Sequence, residues 1–278
     1  MGLNYTGTPY ELKGCINDVG NIKALLLTNN YAESNITVLT DSNPEKMPTR
    51  AAIMNELFKL TTLPSSELFI YYSGHGSRVK DANQDEKSGM DSVLVPCDFE
   101  TSGFILDDYL LVILSKFKCK TTLLFDSCNS GTVCDLPYSL TYTRGRLIQD
   151  STRRIAKLPN PYIYMISGCK DNQESIDTYA DGNYCGAFTN AFLKSIDSKK
   201  SILDMYVETC KKMSESQTPV LSTSAPIVRQ AVPLKKSVPL AHPLTRSLPF
   251  TAPVTKSIPV VPLKRAPMKA TKRTFNFL

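Results

Sequence analysis

The 278-residue sequence contains no tryptophan, only two histidines, and no run of about 18 consecutive apolar residues. The missing apolar run predicts that no helix spans a membrane, and the polar first residues do not resemble a secretory signal. Eight cysteines are present, but they show neither paired Cys-x-x-Cys spacing nor the density of a small disulfide scaffold. These absences predict a soluble, cytoplasmic protein whose thiols are mostly reduced.

Acidic residues are absent from residues 219–278, which carry ten Lys or Arg, whereas residues 1–218 carry 26 acidic and 22 basic residues. Three ten-residue repeats fill positions 232–261, each with proline second and eighth and a basic residue fifth. Proline at this density removes amide donors and blocks helix. The sequence therefore predicts a disordered, basic tail over 219–278. The tail either binds a protein or polyanion partner or serves only as a solubilising tether.

Short apolar or β-branched runs alternate with helical patterns along the rest of the chain. The runs predict buried strands at residues 36–39, 67–72, 121–125 and 162–166. The helical patterns lie at about residues 16–26, 53–60, 109–114, 186–196 and 202–216. Strands that alternate with helices are typical of an α/β fold, with a mostly parallel sheet covered by helices on both faces.

A histidine and a cysteine each follow one of these strands, in Ser73-Gly-His-Gly76 and Asp126-Ser-Cys-Asn129. Because the carboxyl ends of parallel strands meet at one edge of a sheet, we expect the two side chains to face each other. Cysteine attacks carbonyls as a thiolate, and a nearby histidine can take its proton and later protonate a leaving amine. The only other histidine is His242 in the tail, so His75 is the candidate base for Cys128. The alternative without catalysis is that His75 is an ordinary core histidine and Cys128 an unreactive buried cysteine.

The two motifs, together with Leu12-Lys-Gly-Cys-Ile-Asn-Asp18 and Ile166-Ser-Gly-Cys-Lys-Asp-Asn-Gln173, closely resemble metacaspases, the caspase-like cysteine peptidases. The resemblance covers about residues 3–215. It implies a caspase-like three-layer sandwich with a large part over about 1–138, a basic surface linker over 139–160 and a small part over 161–218. It also implies a monomer that cuts polypeptides with a His75 and Cys128 dyad. The expected oxyanion donors are the amides of Gly76 and Cys128. Asn129 departs from the histidine that is usual in the family.

Metacaspases cleave after Arg or Lys, and the motif positions that line their acidic pocket correspond here to Cys15, Asp18, Ser73 and Asp126. A carboxylate is the group needed to bind a guanidinium, and two of them could hold it bidentately. For Asp18 the alternative role is a cap on the first predicted helix.

Four further carboxylates resemble the site of calcium-dependent metacaspases: Asp91, Asp107, Asp108 and Asp135. Calcium prefers six to eight oxygen ligands, and clustered carboxylates repel one another unless a cation neutralises them. We therefore expect calcium as a cofactor. The alternative is that Asp107 or Asp108 caps a helix.

Metacaspases commonly cut themselves between their larger and smaller parts. Basic residues that offer such bonds here are Arg144, Arg146, Arg153, Arg154 and Lys157.

Two family features are missing from the amino end: a Pro-rich prodomain and most of the first strand, which normally runs into Gly-Ile-Asn-Tyr. Loss of an inner strand would expose backbone pairing groups. Three explanations are open: the true start lies upstream, another segment fills the gap, or the protein is a weakened descendant. The last is the competing hypothesis, a catalytically weakened, metacaspase-like interaction protein whose basic tail binds partners or nucleic acid.

Overall fold

The structure is a computed structural model that describes residues 1–81, 89–151, 158–171, 173, 175–180, 182–197, 200–214, 216–227 and, for the backbone alone, 271–272. These residues belong to a compact unit made of Met1–Pro226 and Lys269–Leu278. A second unit, Ile227–Met268, lies outside the described residues except for Ile227.

All five predicted helices and three of the four predicted strands are present among the described residues, together with strands that the sequence did not predict. The helices are α1 (Cys15–Thr28), α2 (Arg50–Leu60), α3 (Phe99–Ser102), α4 (Asp107–Leu114), α5 (Ala187–Leu193) and α6 (Ile202–Lys212). The strands are β1 (Glu67–Ser73), β2 (Gly76–Lys80), β3 (Met90–Leu94), β4 (Ile105–Leu106), β5 (Lys120–Asp126), β6 (Tyr138–Thr143), β7 (Arg146–Ser151), β8 (Ile163–Ser167), β9 (Ile176–Ala180), β10 (Asn183–Gly186), β11 (Val220–Thr223) and β12 (Thr271–Lys272). No helix in the described ranges has both the length and the apolar character to cross a membrane.

The main sheet has six strands in the order β1-β5-β8-β11-β6-β7. Strands β1, β5 and β8 pair in parallel, as expected, and their register places Ser73 opposite Asp126. The other three strands join antiparallel. The parallel half therefore brings the ends of β1 and β5 to the same edge.

Successive side chains along a strand point to opposite faces of the sheet, and buried residues lie on both faces of β1 and β5. Helices cover both of these faces. On one face, Ile70 and Leu123 border the same small apolar cavity as Leu57 of α2 and Ile113 of α4. On the other, the Tyr71 hydroxyl lies 2.8 Å from Oγ1 of Thr189 in α5. The predicted three-layer α/β sandwich is confirmed.

The segment before β1 differs from its prediction, since residues 36–39 do not form a strand. Gly2 instead forms single parallel bridges to Thr40 on one side and Ser73 on the other. The Gly2 amide donates to Leu39 O at 3.0 Å, and the Leu3 amide donates to Ser73 O at 3.0 Å. The first residues of this chain thus pair with the carboxyl end of β1, next to the candidate site.

The expected basic surface loop over 139–160 is wrong for residues 139–151, because β6 and β7 form a hairpin at the end of the sheet. Arg144 and Gly145 both have positive φ, 49° and 76°, as a tight two-residue hairpin turn requires. Apolar and polar residues alternate over 138–142, and Leu140 is buried in the core. This alternation is too short and too polar to predict a strand from the sequence alone.

The predicted start of the tail at residue 219 is also wrong, since Val220–Thr223 form β11 between β8 and β6. All four residues are buried. Two of the four are hydroxyl residues, and Pro219 and Pro226 flank them, so the sequence resembles the tail although packing makes it a strand. Residues 271–272 also form a strand; the rest of the predicted tail from residue 228 onward lies outside the described residues.

Candidate active site

The loops after β1 and β5 converge at the carboxyl edge of the sheet. His75 follows Ser73 by two residues, Cys128 follows Asp126 by two, and Ser73 pairs with Asp126. A Cβ built on Gly76 would lie 2.0 Å from the Cys128 carbonyl oxygen, so only glycine allows this close approach. The register and the glycine together bring the histidine and cysteine loops into contact.

The imidazole of His75 is buried and oriented by backbone and aromatic groups. Its Nε2 lies 2.7 Å from the carbonyl oxygen of Tyr10, which can only accept a hydrogen bond, so Nε2 carries the proton. In the neutral ring Nδ1 is then the basic nitrogen. The Tyr5 ring packs on the imidazole at a centroid distance of 4.7 Å.

The backbone of His75 is held by two tyrosine hydroxyls. The His75 amide donates to the Tyr5 hydroxyl at 3.1 Å, and the Tyr72 hydroxyl donates to the His75 carbonyl at 2.8 Å. Both rings are buried. These contacts fix the loop that presents the imidazole, and sequence reasoning missed them because nothing in the pattern distinguishes these tyrosines from core residues.

The Cys128 thiol is buried beside the segment that leads into β9. Its Sγ accepts a hydrogen bond from the Ser175 amide at 2.9 Å, and the thiol donates to the Ser175 carbonyl oxygen at 3.7 Å. Burial, and after it the proximity of Cys128, raises the pKa of the Cys169 thiol. Asn129 has φ 51°, a left-handed conformation that asparagine tolerates better than most residues.

The carboxylate of Asp126 is fully buried and accepts hydrogen bonds from neutral donors. Ser175 Oγ donates to Oδ1 at 2.5 Å. In α5, the amide and the hydroxyl of Thr189 both donate to Oδ2, at 3.0 and 2.6 Å. Ser175 therefore contacts both Asp126 and the candidate nucleophile.

Asp18 contributes a second fully buried carboxylate to the same region. It does not cap α1; its oxygens accept from the Gly186 amide at 2.9 and 3.1 Å and from Ser73 Oγ at 3.2 Å. A Cβ built on Gly186 would lie 1.9 Å from Asp126 Oδ2 and 3.0 Å from Asp18 Oδ2. The two carboxylates thus converge on Gly186, and burial together with their charges raises the pKa of Tyr71.

The fourth predicted pocket residue, Cys15, lies in the first turn of α1. It is fully buried, and its amide donates to Asn4 Oδ1 at 3.0 Å. Its role in the pocket stays a prediction, as do those of the amides of Gly76 and Cys128.

A separate group of carboxylates lies where β3 meets α4. Oxygens of Asp91, Asp107 and Asp108 are within 4.8 Å of one another, and Asp91 and Asp107 are buried. The residue at the N-cap of α4 is Leu106, although Asp107 Oδ1 accepts from the Asp108 amide at 3.0 Å. Three anionic oxygen donors at this spacing fit a hard cation such as calcium.

Asp135, the fourth predicted metal ligand, is buried near this group without being one of the three. Burial raises the pKa of the Cys134 thiol, and the charges of Asp135 and Asp107 raise it further, so both carboxylates neighbour that thiol.

The candidate self-cleavage residues are divided between described and undescribed segments. Arg144 and Arg146 lie exposed at the turn of the β6–β7 hairpin. Arg153, Arg154 and Lys157 lie outside the described residues.

The chain is similar to known proteins both in sequence and in fold. The family model of the metacaspase peptidase C14 domain matches residues 1–137. A metacaspase-1 of Candida albicans is 35% identical, with 82% of this chain and 64% of that protein covered. Metacaspase-1 proteins of Candida glabrata and Ajellomyces capsulatus are 34% and 33% identical, with 82% of this chain and 72% and 79% of theirs covered. A crystal structure of a Geobacter sulfurreducens protein has the same fold, with a TM-score of 0.58 at 24% identity over 82% of this chain and 92% of that one.

Two loops in contact carry a histidine and a cysteine at the parallel edge of an α/β sandwich, beside two converging carboxylates, and this arrangement places the molecule in the caspase-like class. Its similarity to fungal relatives is more specific, and the chain belongs to the metacaspase family. It spans 64% of the Candida albicans relative and 66% of a Saccharomyces cerevisiae metacaspase-1, less than two thirds of either.

Proposed function

We propose that this chain is a cysteine endopeptidase that hydrolyses peptide bonds after Arg or Lys. The observation that carries the proposal is the convergence at one sheet edge of a buried thiol, an oriented imidazole and two buried carboxylates. Few other roles would require all three groups within the same cluster of loops.

In the proposed mechanism the imidazole of His75 first accepts a proton from the thiol and then donates it to the leaving amine. Nδ1 of His75 accepts the Cys128 proton, and Sγ attacks the substrate carbonyl. The imidazolium then protonates the leaving amine, which leaves a thioester on Cys128. Water hydrolyses the thioester, and the imidazole, held by the Tyr10 carbonyl, serves as base again.

Specificity follows from exchange of hydrogen-bond donors around Asp18 and Asp126. In the free chain neutral hydroxyls and amides satisfy these carboxylates. A guanidinium offers five donors in a planar fork and adds the opposite charge, so it can displace or supplement them. A substrate with Asp at the same position would bring a third buried negative charge and be rejected.

Calcium is the proposed cofactor, bound by Asp91, Asp107 and Asp108, with Asp135 close by. When bound it would neutralise three neighbouring carboxylates and so stabilise the junction of β3 and α4. Strand β3 pairs with β2, and β2 begins at Gly76 in the loop that carries His75. Stabilisation of β3 by calcium would therefore also stabilise that loop.

Self-processing is proposed in the 144–157 region. Arg144 and Arg146 flank a hairpin turn whose strands pair within the main sheet, so cleavage there requires the hairpin to open. Arg153, Arg154 and Lys157 follow that hairpin in sequence. A Cys128→Ala chain that still fragments at the same bonds would refute self-processing.

The deciding experiment compares fluorogenic peptides that end in Arg or Asp, with and without millimolar calcium, on the whole chain. We expect calcium-stimulated cleavage of the Arg peptide alone, absent from Cys128→Ala. Hydrolysis of neither peptide would favour the alternative of an interaction protein whose basic tail binds a protein or polyanion. The monomeric state and the cytoplasmic location stay predictions.

A further inference from the structure

Gln217 lies three residues before β11 and is buried, with 2% of its surface exposed. Its Nε2 donates to the carbonyl oxygen of Gly168 at 2.9 Å and to Oγ of Ser175 at 3.1 Å. A carbonyl oxygen can only accept, so the nitrogen of the side-chain amide, not its oxygen, faces these two groups. Gly168 follows β8, and Ser175 precedes β9. One side-chain amide therefore joins both ends of the connection between these strands.

Ser175 links this amide to the candidate active site, and it is fully buried. Because its Oγ accepts from Gln217, its hydroxyl proton is available to Oδ1 of Asp126, 2.5 Å away. Its main chain contacts the thiol twice: the amide donates to Cys128 Sγ at 2.9 Å, and the thiol donates to the carbonyl oxygen at 3.7 Å. The orientation of this one residue thus affects both the sulfur and the pocket carboxylate.

Further hydrogen bonds hold the same stretches of chain together without the Gln217 side chain. The Thr218 amide donates to Oε1 of Gln173 at 3.0 Å. The Asn129 amide donates to the Gln173 carbonyl oxygen at 3.4 Å, so the loop of the nucleophile is attached as well. Loss of the Gln217 amide should therefore change how Ser175 is oriented and leave the connection between β8 and β9 in place.

We propose that Gln217 is a positioning residue that orients Ser175. Through Ser175 it aligns the thiol of Cys128 and the carboxylate of Asp126. The inference rests on the proposed function, since it uses the same thiol and pocket. Without the amide nitrogen, the Gly168 carbonyl loses this donor, and the Ser175 hydroxyl can turn towards that carbonyl and away from Asp126. Gln217 acts indirectly, because its amide contacts Gly168 and Ser175 and its effect on the sulfur passes through Ser175.

The first test does not depend on peptidase activity and uses the whole chain. Gln217→Met keeps the length of the side chain and removes its donor. Alkylation of Cys128 by iodoacetamide is followed by mass spectrometry, with the partly exposed thiol of Cys97 as the internal reference. We expect the ratio of the two rates to change at least about fivefold, which lies within the range of couplings between residues in contact. Gln149→Met on exposed β7 is the matched control and should leave the ratio unchanged.

Ser175→Ala separates a positioning role from a general structural one. The alanine removes the hydroxyl that Gln217 holds, so it should produce a similar change in the alkylation ratio. Adding Gln217→Met to Ser175→Ala should then have little further effect, because the two side chains act as one unit. A purely structural glutamine would lower the unfolding temperature alike in both backgrounds and leave the ratio unchanged. An unchanged ratio in Ser175→Ala, or equal effects of Gln217→Met in both backgrounds, overturns the inference. The first of these outcomes decides even if Gln217→Met does not fold.

Hydrolysis of the Arg peptide tests the proposed function separately. A displacement of about 1 Å near the reacting groups can cost up to about a hundredfold in rate, so Gln217→Met should lower kcat/KM at least about tenfold. A parent chain that cuts the peptide, with additive losses in the double variant, overturns the inference and spares the proposed function. A parent chain that cuts no peptide contradicts the proposed function, and the alkylation ratios still decide the role of Gln217.

Discussion

Among the described residues, the carboxylates of Asp18 and Asp126 differ from those of Asp91, Asp107 and Asp108 in the way they are stabilised. Asp18 and Asp126 accept hydrogen bonds from neutral hydroxyls and amides of α5, β10 and the segment before β9. Asp91, Asp107 and Asp108 place oxygens of three carboxylates within 4.8 Å of one another. In the first arrangement the donors come from several elements, and under the proposed function a guanidinium would exchange with them. The second gains most from a metal ion, because like charges at that distance repel.

The largest effect is expected at Asp126, where Asp126→Asn removes the charge but keeps a similar shape. Losing one partner of a buried charged pair costs about 2–5 kcal/mol, so kcat/KM for an Arg peptide should fall at least about thirtyfold. A peptide with citrulline in place of Arg is the control, because its neutral side chain should be cut equally by both chains. An equal fall for both peptides would make Asp126 a structural residue only.

Gly186→Ala should damage the same pocket without changing its charge. The added Cβ would lie 1.9 Å from Asp126 Oδ2, so the carboxylate or β10 must move. A displacement of about 1 Å near a site can cost up to about a hundredfold in rate, and we expect a fall of about tenfold or more in kcat/KM for the Arg peptide. Gly20→Ala in α1 is the control, since nothing lies within 4 Å of its Cβ. Equal activity in both variants would contradict the convergence of the carboxylates on Gly186.

Calcium should act on the second group and not on the first. A ligand at a hundredfold excess over its Kd stabilises the folded state by about 2.7 kcal/mol, which thermal unfolding detects readily. Asp107→Asn should lose most of this gain, because it removes one of the three charged oxygen donors. Glu33→Gln, an exposed carboxylate, should respond to calcium as the parent does. An unchanged calcium response in Asp107→Asn would remove this cluster as the metal site.

The sequence predicted more of the candidate-site residues than of the strands in the sheet around them. The strand ends, His75, Cys128 and both pocket carboxylates could be located because short motifs carry them. The hairpin β6–β7 and the inner strand β11 could not, since their residues are polar and only tertiary packing selects a strand there. Tyr5, Ser175 and Thr189 have no local signal because their partners lie far away in the chain. Tyr72 is only three residues before His75, but its sequence position is that of an ordinary core residue of β1.

The smallest effect is expected at Asp171, a partly buried carboxyl that stands apart from both groups. Burial raises its pKa, while the Thr132 amide, which donates to Oδ1 at 2.8 Å, opposes the rise. An acid with a raised folded pKa favours folding below its unfolded pKa of 3.8 and loses that contribution as pH rises through the folded value. Asp171→Asn should therefore stabilise the chain at neutral pH by no more than about 1 kcal/mol, or about 2–4 °C in Tm. The gain should vanish in acid. Asp150→Asn on exposed β7 is the control. A loss of stability at neutral pH that is specific to Asp171→Asn would contradict the raised pKa, because it would mean that Thr132, Arg78 and the Gly131 amide outweigh burial.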